Sequence, residues 1–143
     1  MNTDHLFSSL RESLRFSTLC LACAFLLLPS PLRADVEQGI AAYQRQDYQE
    51  ALIAFRAAAE QGHAWAQYDL GSMYQFGHGV EPDAVVAYAL YNLAAATEEI
   101  AKQSRDRLAP TLSRDQLANA QTLSEKWTKA LAAGSRWEMG PGR

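Results

Sequence analysis

Apolar side chains recur every three or four residues through much of the chain, with polar residues between them. Val36, Ile40 and Tyr43 have this spacing, and Ala51 and Phe55 repeat it further along. Positions three and four apart share one face of an α-helix, so the pattern predicts amphipathic helices. Strand-type runs of Val, Ile and Thr are missing from the sequence. We therefore expect an all-α fold.

Cap and turn residues divide this region into short helices. Asp47-x-x-Glu50 is a capping-box pattern at the start of the second helix, and Gly62 follows the end of that helix. The third helix is predicted from Ala64 to about Gln75. Asp83 is predicted to cap a fourth helix that continues to about residue 97.

Two copies of a helix–turn–helix unit follow each other in the sequence. Residues 51–59 recur 36 positions later as residues 87–95, and Ala42-Tyr43 recurs 31 positions later as Met73-Tyr74. The difference of five is an insertion in the loop of the second copy. A helix pair of this size cannot bury its apolar faces alone, but stacking on the next pair buries them. The repeat therefore predicts a short α-solenoid.

Gly71 lies in the middle of the predicted third helix. A glycine there costs about 1 kcal/mol relative to alanine. We expect the missing side chain to permit the close approach of a partner helix around Ala87.

The second copy also carries a long and specific motif, Ala64-x-Ala66-x-Tyr68-x-Leu70-Gly71-x-Met73-Tyr74-x-x-Gly77-x-Gly79-Val80-x-x-Asp83-x-x-x-Ala87-x-x-x-Tyr91-x-x-Ala94-Ala95. It resembles the Sel1-like repeat, a relative of the tetratricopeptide repeat, although the family's usual Trp near the end is Tyr91 here. The first copy has the shorter loop and looks more like a plain tetratricopeptide unit. The resemblance implies structural roles for Leu70, Gly71, Tyr74, Gly77, Gly79, Val80, Asp83, Ala87, Tyr91 and Ala94.

The residues after the second copy predict a C-terminal cap. A helix from about Glu98 to Ala109 should end at Pro110, and Ser113-x-x-Gln116 is a second capping box. It opens a helix of about 19 residues whose apolar seam comprises Leu117, Ala120, Leu123 (or Ser124), Trp127 and Leu131. This stretch resembles the C-terminal extension of many small bacterial Sel1 proteins. Residues 134–143, including Trp137, are predicted to be a flexible tail.

The first thirty-four residues have the pattern of an export signal. Arg11 and Arg15 precede the apolar run 19–28, and proline residues and Ala34 follow it. A charged segment, a short apolar core and a small residue before the cut are typical of a secretory signal peptide. The core is shorter than the roughly 20 residues that a membrane span requires. An uncleaved anchor is the alternative. The charged segment is long and contains Asp4 and Glu12, which also allows a start codon downstream of Met1.

We therefore expect a signal peptide over 1–34 with cleavage after Ala34, and a periplasmic or secreted product. The helical domain should cover 35–133, with the first repeat at 35–61, the Sel1 repeat at 62–97 and the C-terminal helices at 98–133. Cys20 and Cys23 both lie in the predicted leader. Their C-x-x-C spacing could mark a redox or metal site, but the purely apolar flanks do not favour one. Lipid attachment at Cys23 is not favoured either, because Cys20 stands where such signals usually have Leu and the apolar run continues beyond Cys23.

The remaining side chains do not suggest catalysis. His63 and His78 lie in predicted turns without an acidic residue at metal-site spacing, Ser72 and Ser104 lack a nearby His, and no Ser-x-x-Lys occurs. The net charge is −3, and no basic stripe offers itself to nucleic acid. Some cysteine-rich Sel1 proteins are linked to penicillin binding or hydrolysis, but this chain lacks their cysteines. We expect no enzyme activity, no cofactor, no metal and no nucleic-acid partner.

The resemblance points instead to a binding surface. In the related tetratricopeptide fold, the first helix of each pair lines a concave groove. This implies a partner-binding set that comprises Trp65, Tyr68, Ser72, Gln75 and Phe76 from the third helix and Glu37, Ala41, Gln44 and Arg45 from the first. Trp65 is the expected main anchor, because aromatic residues carry much of the binding energy at interfaces. The alternative is that Tyr68 and Phe76 only pack on neighbouring helices. The outer helices should present a small, featureless surface through Ala54, Ala57, Ala58 and Ala89.

The sequence thus predicts a non-catalytic protein–protein interaction module, a periplasmic adaptor or scaffold that binds a partner peptide or domain of unknown identity. Membrane contact is expected only if the leader is retained. The alternatives are a membrane-tethered component of envelope assembly and, less favoured, a hydrolase.

Overall fold

A computed structural model of the protein describes residues 31–135 and 137. This part of the chain contains six α-helices and no β-strand. The helices are α1 (Pro31–Gln44), α2 (Tyr48–Glu60), α3 (Ala64–Phe76), α4 (Ala84–Ala94), α5 (Glu99–Leu108) and α6 (Arg114–Ala132). A short 3-10 turn, Ala109–Thr111, connects α5 to α6.

The helices stack in the order of the chain. Each of α1 to α4 packs against the helix that follows it, and α6 returns to pack against α4. One face of the stack brings together α1, α3 and α5, because side chains from these three helices line shared clefts. The predicted helical-repeat solenoid is confirmed.

The ends of most helices lie close to their predicted positions, with two differences. Helix α4 ends at Ala94 because residues 95–97 form a turn. Helix α1 begins at Pro31, before the predicted cut after Ala34. Proline is tolerated in the first turn of a helix, where its missing N–H is not needed. Residues 1–30 of the predicted leader lie outside the described part of the chain, so its cleavage stays a prediction.

The two predicted capping boxes differ in the structure. At Ser113 the side chain accepts from the Gln116 N–H at 3.2 Å, and Gln116 Oε1 accepts from the Ser113 N–H at 2.9 Å, which completes the box. Asp47 accepts from the Glu50 N–H at 3.3 Å, but the Glu50 carboxylate binds Gln38 and Arg45 instead. Half of that box is therefore present.

A close helix crossing occurs at Gly71, as predicted, but at a different partner residue. A Cβ atom on Gly71 would lie 2.9 Å from two ring carbons of Tyr91 and 3.3 Å from the Cβ of Leu90. The first repeat has the same arrangement, because a Cβ on Gly39 would lie 2.7 Å from the ring of Phe55. In each pair, a glycine of the first helix thus accommodates an aromatic ring of the second.

The C-terminal helices continue the stack. Ala120, Ser124 and Trp127 are the buried residues of α6, and Leu117, Leu123 and Leu131 are partly buried against the core, so the predicted seam is confirmed with both Leu123 and Ser124 on it. Asn92 of α4 donates to Ser124 Oγ at 3.0 Å and accepts from Arg105 of α5 at 3.1 Å. These bonds join α4, α5 and α6 through polar side chains.

The prediction of a flexible tail is wrong at Trp137. This side chain is 2% exposed, and its ring lies 4.7 Å from the ring of Trp127, centroid to centroid. A single aromatic residue beyond the last helix has no periodic neighbours, so a periodicity argument cannot detect its burial. The described tail is therefore held by a ring contact with α6.

Candidate partner-binding surface

Helix α3 separates two clefts on the face that α1, α3 and α5 share. The first cleft lies between α1 and α3 and has a volume of about 310 Å³; it is lined by Ile40, Tyr43, Gln44, Phe55, Tyr68, Asp69 and Ser72. The second cleft lies between α3 and α5 and has a volume of about 340 Å³; it is lined by Tyr68, Ser72, Gln75, Phe76, Tyr91, Ser104, Arg107, Leu108 and Thr111. Tyr68 and Ser72 line both clefts.

The spacing of residues along α3 explains this placement. Tyr68, Ser72 and Gln75 follow one another at intervals of four and three, which keeps them on one face of the helix. Leu70 and Met73 lie on another face and are buried in the core. The same amphipathic pattern that buries α3 therefore directs these polar and aromatic side chains to the clefts.

Phe76 is the most exposed of the predicted aromatic residues. It is the last residue of α3 and 61% exposed, and it lines the second cleft. Gly77 follows in the left-handed conformation, with φ of 73°, and ends the helix there. A large apolar ring left open to solvent beside a cleft is a candidate contact for a partner.

Tyr68 and Gln75 have partners within the protein. The ring of Tyr68 lies 5.7 Å from that of Tyr91 and meets Trp65 edge to face. The Tyr91 hydroxyl donates to Gln75 Oε1 at 2.7 Å, and burial raises the pKa of this phenol, so it stays protonated. Tyr68 is thus partly a packing residue, as the alternative interpretation held, whereas Phe76 is not buried.

Trp65, the expected main anchor, is 47% exposed but lines neither cleft. It lies in the first turn of α3, where its ring meets Tyr68 at a centroid distance of 6.1 Å. The structure therefore places Trp65 at one end of the predicted surface rather than at its centre.

Of the four partner-binding residues predicted on α1, one lines a cleft. Gln44 lines the first cleft, whereas Glu37, Ala41 and Arg45 line neither cleft. Arg45 forms an ion pair with Glu50 at 3.2 Å on the next helix. Ile40 was expected on the buried face, which is wrong, because it is 42% exposed and lines the first cleft.

Two charged residues line the clefts in addition to the predicted set. Asp69 lines the first cleft, and burial raises the pKa of its carboxyl to about 6. Arg107 of α5 lines the second cleft and donates to Ser104 Oγ at 3.2 Å. Treating α5 as the first helix of a further pair would have suggested Arg107. An acidic residue next to the buried Leu70 was the available signal for Asp69.

The loop after α3 contacts the first repeat. Nδ1 of His78 and the Tyr43 hydroxyl are hydrogen-bonded at 2.6 Å, and the His78 ring stacks on Tyr48 at 4.9 Å. His78 therefore lies in a turn, as predicted, but its side chain is partly buried against the first repeat. Gly79 has φ of 72°, and Gln49 donates to its carbonyl at 2.7 Å. Val80 is partly buried against the core, in keeping with its implied role.

The outer helices are less featureless than expected. Ala54, Ala58 and Ala89 are buried, whereas Ile53 on α2 is 70% exposed.

Among residues 31–135 and 137, no group of three or more His, Cys, Asp or Glu side chains could hold a metal ion. None of the described helices combines the length and apolarity that crossing a membrane requires.

Two segments of the chain, residues 36–63 and 66–96, match the profile of the Sel1 repeat. The match covers the first copy as well as the second, so the likeness of the first copy to a plain tetratricopeptide unit is corrected. A solved structure supports the fold: a protective antigen present in uropathogenic Escherichia coli strains, which displays an SLR fold. It matches with a TM-score of 0.66 and 30% identity over 78% of this chain and 27% of that one.

Two curated proteins are similar over a shorter stretch. Both are named as negative regulators of exopolysaccharide production, one from Rhizobium leguminosarum bv. viciae and one from Rhizobium meliloti. They are 38% and 37% identical to this chain over 65 residues, which is 46% of this chain. The aligned part spans 22% of the length of either protein.

Proposed function

Since this chain is a Sel1-like repeat protein, we propose that it binds a peptide segment of a partner protein across α3, without catalysing a reaction. The observation that carries the proposal is the pair of clefts that share Tyr68 and Ser72. An extended segment lying across α3 would place side chains in both. Ile40 and Phe76 supply exposed apolar surface at the first and second cleft, respectively.

The proposal includes a location outside the cytoplasm. It is supported by the charged, apolar and proline-containing pattern of residues 1–34. A fusion of residues 1–40 to a reporter that is active only after export should give signal. Silence of that fusion would remove the periplasmic part of the proposal and leave the binding part to be tested by itself.

Capture of partners tests the binding part. We expect Tyr68→Ala combined with Phe76→Ala to weaken capture from envelope extract by about thirtyfold, since truncation of a central aromatic typically costs about 2 kcal/mol. Ile53→Ala is the matched control, because it removes an exposed apolar side chain from α2. Capture unchanged by the double substitution would contradict the proposed site. A loss seen only with Trp65→Ala would move the site to the start of α3.

The membrane-tethered form is the second candidate, and one observation favours it. Helix α1 continues through the predicted cut, since it begins at Pro31. N-terminal sequencing of the exported protein distinguishes the two candidates. Asp35 as the first residue supports the free adaptor, whereas an intact leader supports the tethered component.

The process that this binding serves is a further proposal. The names of the two rhizobial relatives suggest regulation of exopolysaccharide production. Deletion of the gene followed by measurement of secreted polysaccharide tests this suggestion. An increase would support a negative regulatory role, and unchanged production would contradict it.

A further inference from the structure

Asp69 carries an unpaired carboxylate in the first cleft. Neither a hydrogen bond nor an ion pair joins it to the residues that the structure describes, although it is partly buried. Burying a charged group without a partner costs free energy that a paired group would recover. Asp69 therefore weakens the fold in its unbound state, which leaves its charge available to a ligand.

The groups around Asp69 do not neutralise it. Tyr43 on α1 and Tyr91 on α4 interact with its charge, and burial raises the pKa of each phenol, so both are neutral near pH 7. From α2, the phenyl ring of Phe55 lines the cleft. Arg45 on α1 does not line the cleft and is paired with Glu50.

The first cleft also offers surface suited to the stem of a long basic side chain. The side chains of Ile40, Phe55 and Tyr68 in this cleft are apolar or aromatic. The alkyl stem of a basic side chain packs on such surface, and its charged head is attracted by an aromatic ring. In the second cleft, the Arg107 guanidinium has no acidic partner among the described residues. Its positive charge would repel a Lys or Arg side chain of a bound segment. The two clefts thus differ in the sign of their charge, which selects the first for a basic group.

We propose that the first cleft binds a Lys or Arg side chain of the partner segment, with its stem on Ile40 and Tyr68 and its charged head at Asp69. This inference rests on the proposed function and names the partner's chemistry. The segment recognised would carry a basic residue beside an apolar one, because the second cleft presents Phe76.

A displayed library of random twelve-residue peptides, selected against the full chain, tests the proposal. We expect the selected peptides to share one Lys or Arg next to an apolar residue. Asp69→Asn should weaken their binding at pH 7.5 at least about tenfold, because it removes a charge-assisted bond and retains the shape. Asp115→Asn, an exposed acid on α6, is the matched control and should leave binding unchanged.

A pH series adds a readout specific to Asp69. Because burial raises the pKa of its carboxyl to about 6, binding of the basic peptides should weaken as the pH falls through 6. The Asp69→Asn variant should lack this dependence. Full binding by Asp69→Asn at pH 7.5, with the same pH profile as the parent, would overturn the proposal.

The same selection separates this inference from the proposed function. Peptides that require Tyr68 and Phe76 but contain no shared basic residue would overturn the inference and leave the binding surface standing. If no peptide is enriched, or if the enriched ones ignore the Tyr68→Ala and Phe76→Ala substitutions, both proposals fail.

Discussion

Single residues set the spacing of the helices and the charge of the clefts. Gly71 accommodates the Tyr91 ring, and the same ring is fixed by the hydrogen bond from its hydroxyl to Gln75. Asp69, two positions earlier, lowers the stability of the fold, because no partner compensates the desolvation of its carboxylate. One residue thus stabilises the stack by lacking a side chain, and the other weakens it by carrying a charge.

Substitution of Gly71 tests the close crossing. Gly71→Ala should gain about 1 kcal/mol in helix propensity, but a Cβ atom 2.9 Å from the Tyr91 ring forces that ring to move. We expect a net loss of about 1 kcal/mol in the free energy of unfolding, and a larger loss for Gly71→Leu, by urea denaturation. Ala118→Gly, at an exposed position of α6, measures the propensity term alone. A Gly71→Leu variant as stable as the parent would show that the crossing is loose.

Asp69→Asn should stabilise the fold near pH 7. The folded pKa of about 6 lies above the ordinary value of 3.8, so the folded protein binds the proton more tightly than the unfolded chain. The carboxylate therefore costs stability above pH 6, and the cost disappears below about pH 4. We expect a gain of about 3 kcal/mol at pH 7.5 that is largely lost at pH 4, from urea denaturation of parent and variant. A gain independent of pH would mean that the charge is not its cause.

At the scale of elements, the long loop after α3 does more than reverse the chain, because it also packs on the preceding repeat. It connects two helices of one repeat, but His78 and Gly79 contact Tyr43, Tyr48 and Gln49 of the repeat before it. The five additional residues in the second copy thus supply contact between repeats. A loop of this composition, read from sequence, indicates only a turn.

His78→Ala should therefore destabilise the whole domain. It removes a hydrogen bond and a stacked ring, and we expect a loss of about 1–2 kcal/mol by thermal or urea denaturation. Glu81→Ala, an exposed position of the same loop, is the control and should change stability little. Equal effects of the two substitutions would assign the loop no role between repeats.

Most of the fold could be predicted from the sequence, because helix periods, caps and the repeat are local signals. The Ser113 box and the Asp83 cap were confirmed in this way. The candidate site could be predicted only in part. Its side chains come from three helices, and the sequence alone does not show that α5 shares a face with α3. Arg107 was missed for that reason. Asp69 was missed because its neighbour Leu70 is a core residue, and only the cleft between α1 and α3 shows that the Asp69 side chain reaches the binding surface.

At the scale of the molecule, the stack is closed at its C-terminal side. Helix α6 covers α4, and the buried rings of Trp127 and Trp137 contact each other beyond the last repeat. A solenoid requires such a cap, since its terminal repeat would otherwise expose an apolar face. The described tail therefore contributes to the folded domain and is more than an appendage to it.

Trp137→Ala tests this contribution. Loss of the buried indole should lower the free energy of unfolding by about 2–3 kcal/mol in urea denaturation. Trp137→Phe should cost less, because the indole N–H has no hydrogen-bond partner among the described residues. Trp65→Ala removes the same residue type from a half-exposed site and should cost under about 1 kcal/mol. A Trp137→Ala variant as stable as the parent would mean that the tail is dispensable.

The shared wall of the two clefts has a consequence for how new specificities can arise. Tyr68 and Ser72 belong to both clefts, so any change there alters recognition of two ligand positions at once. The far walls belong to α1 on one side and to α5 on the other. Variation on α1 can therefore change the preference at one ligand position while the other is kept, and variation on α5 can do the reverse. A single substitution on α1 or α5 can therefore shift binding to a related partner while the contacts at the other cleft are preserved.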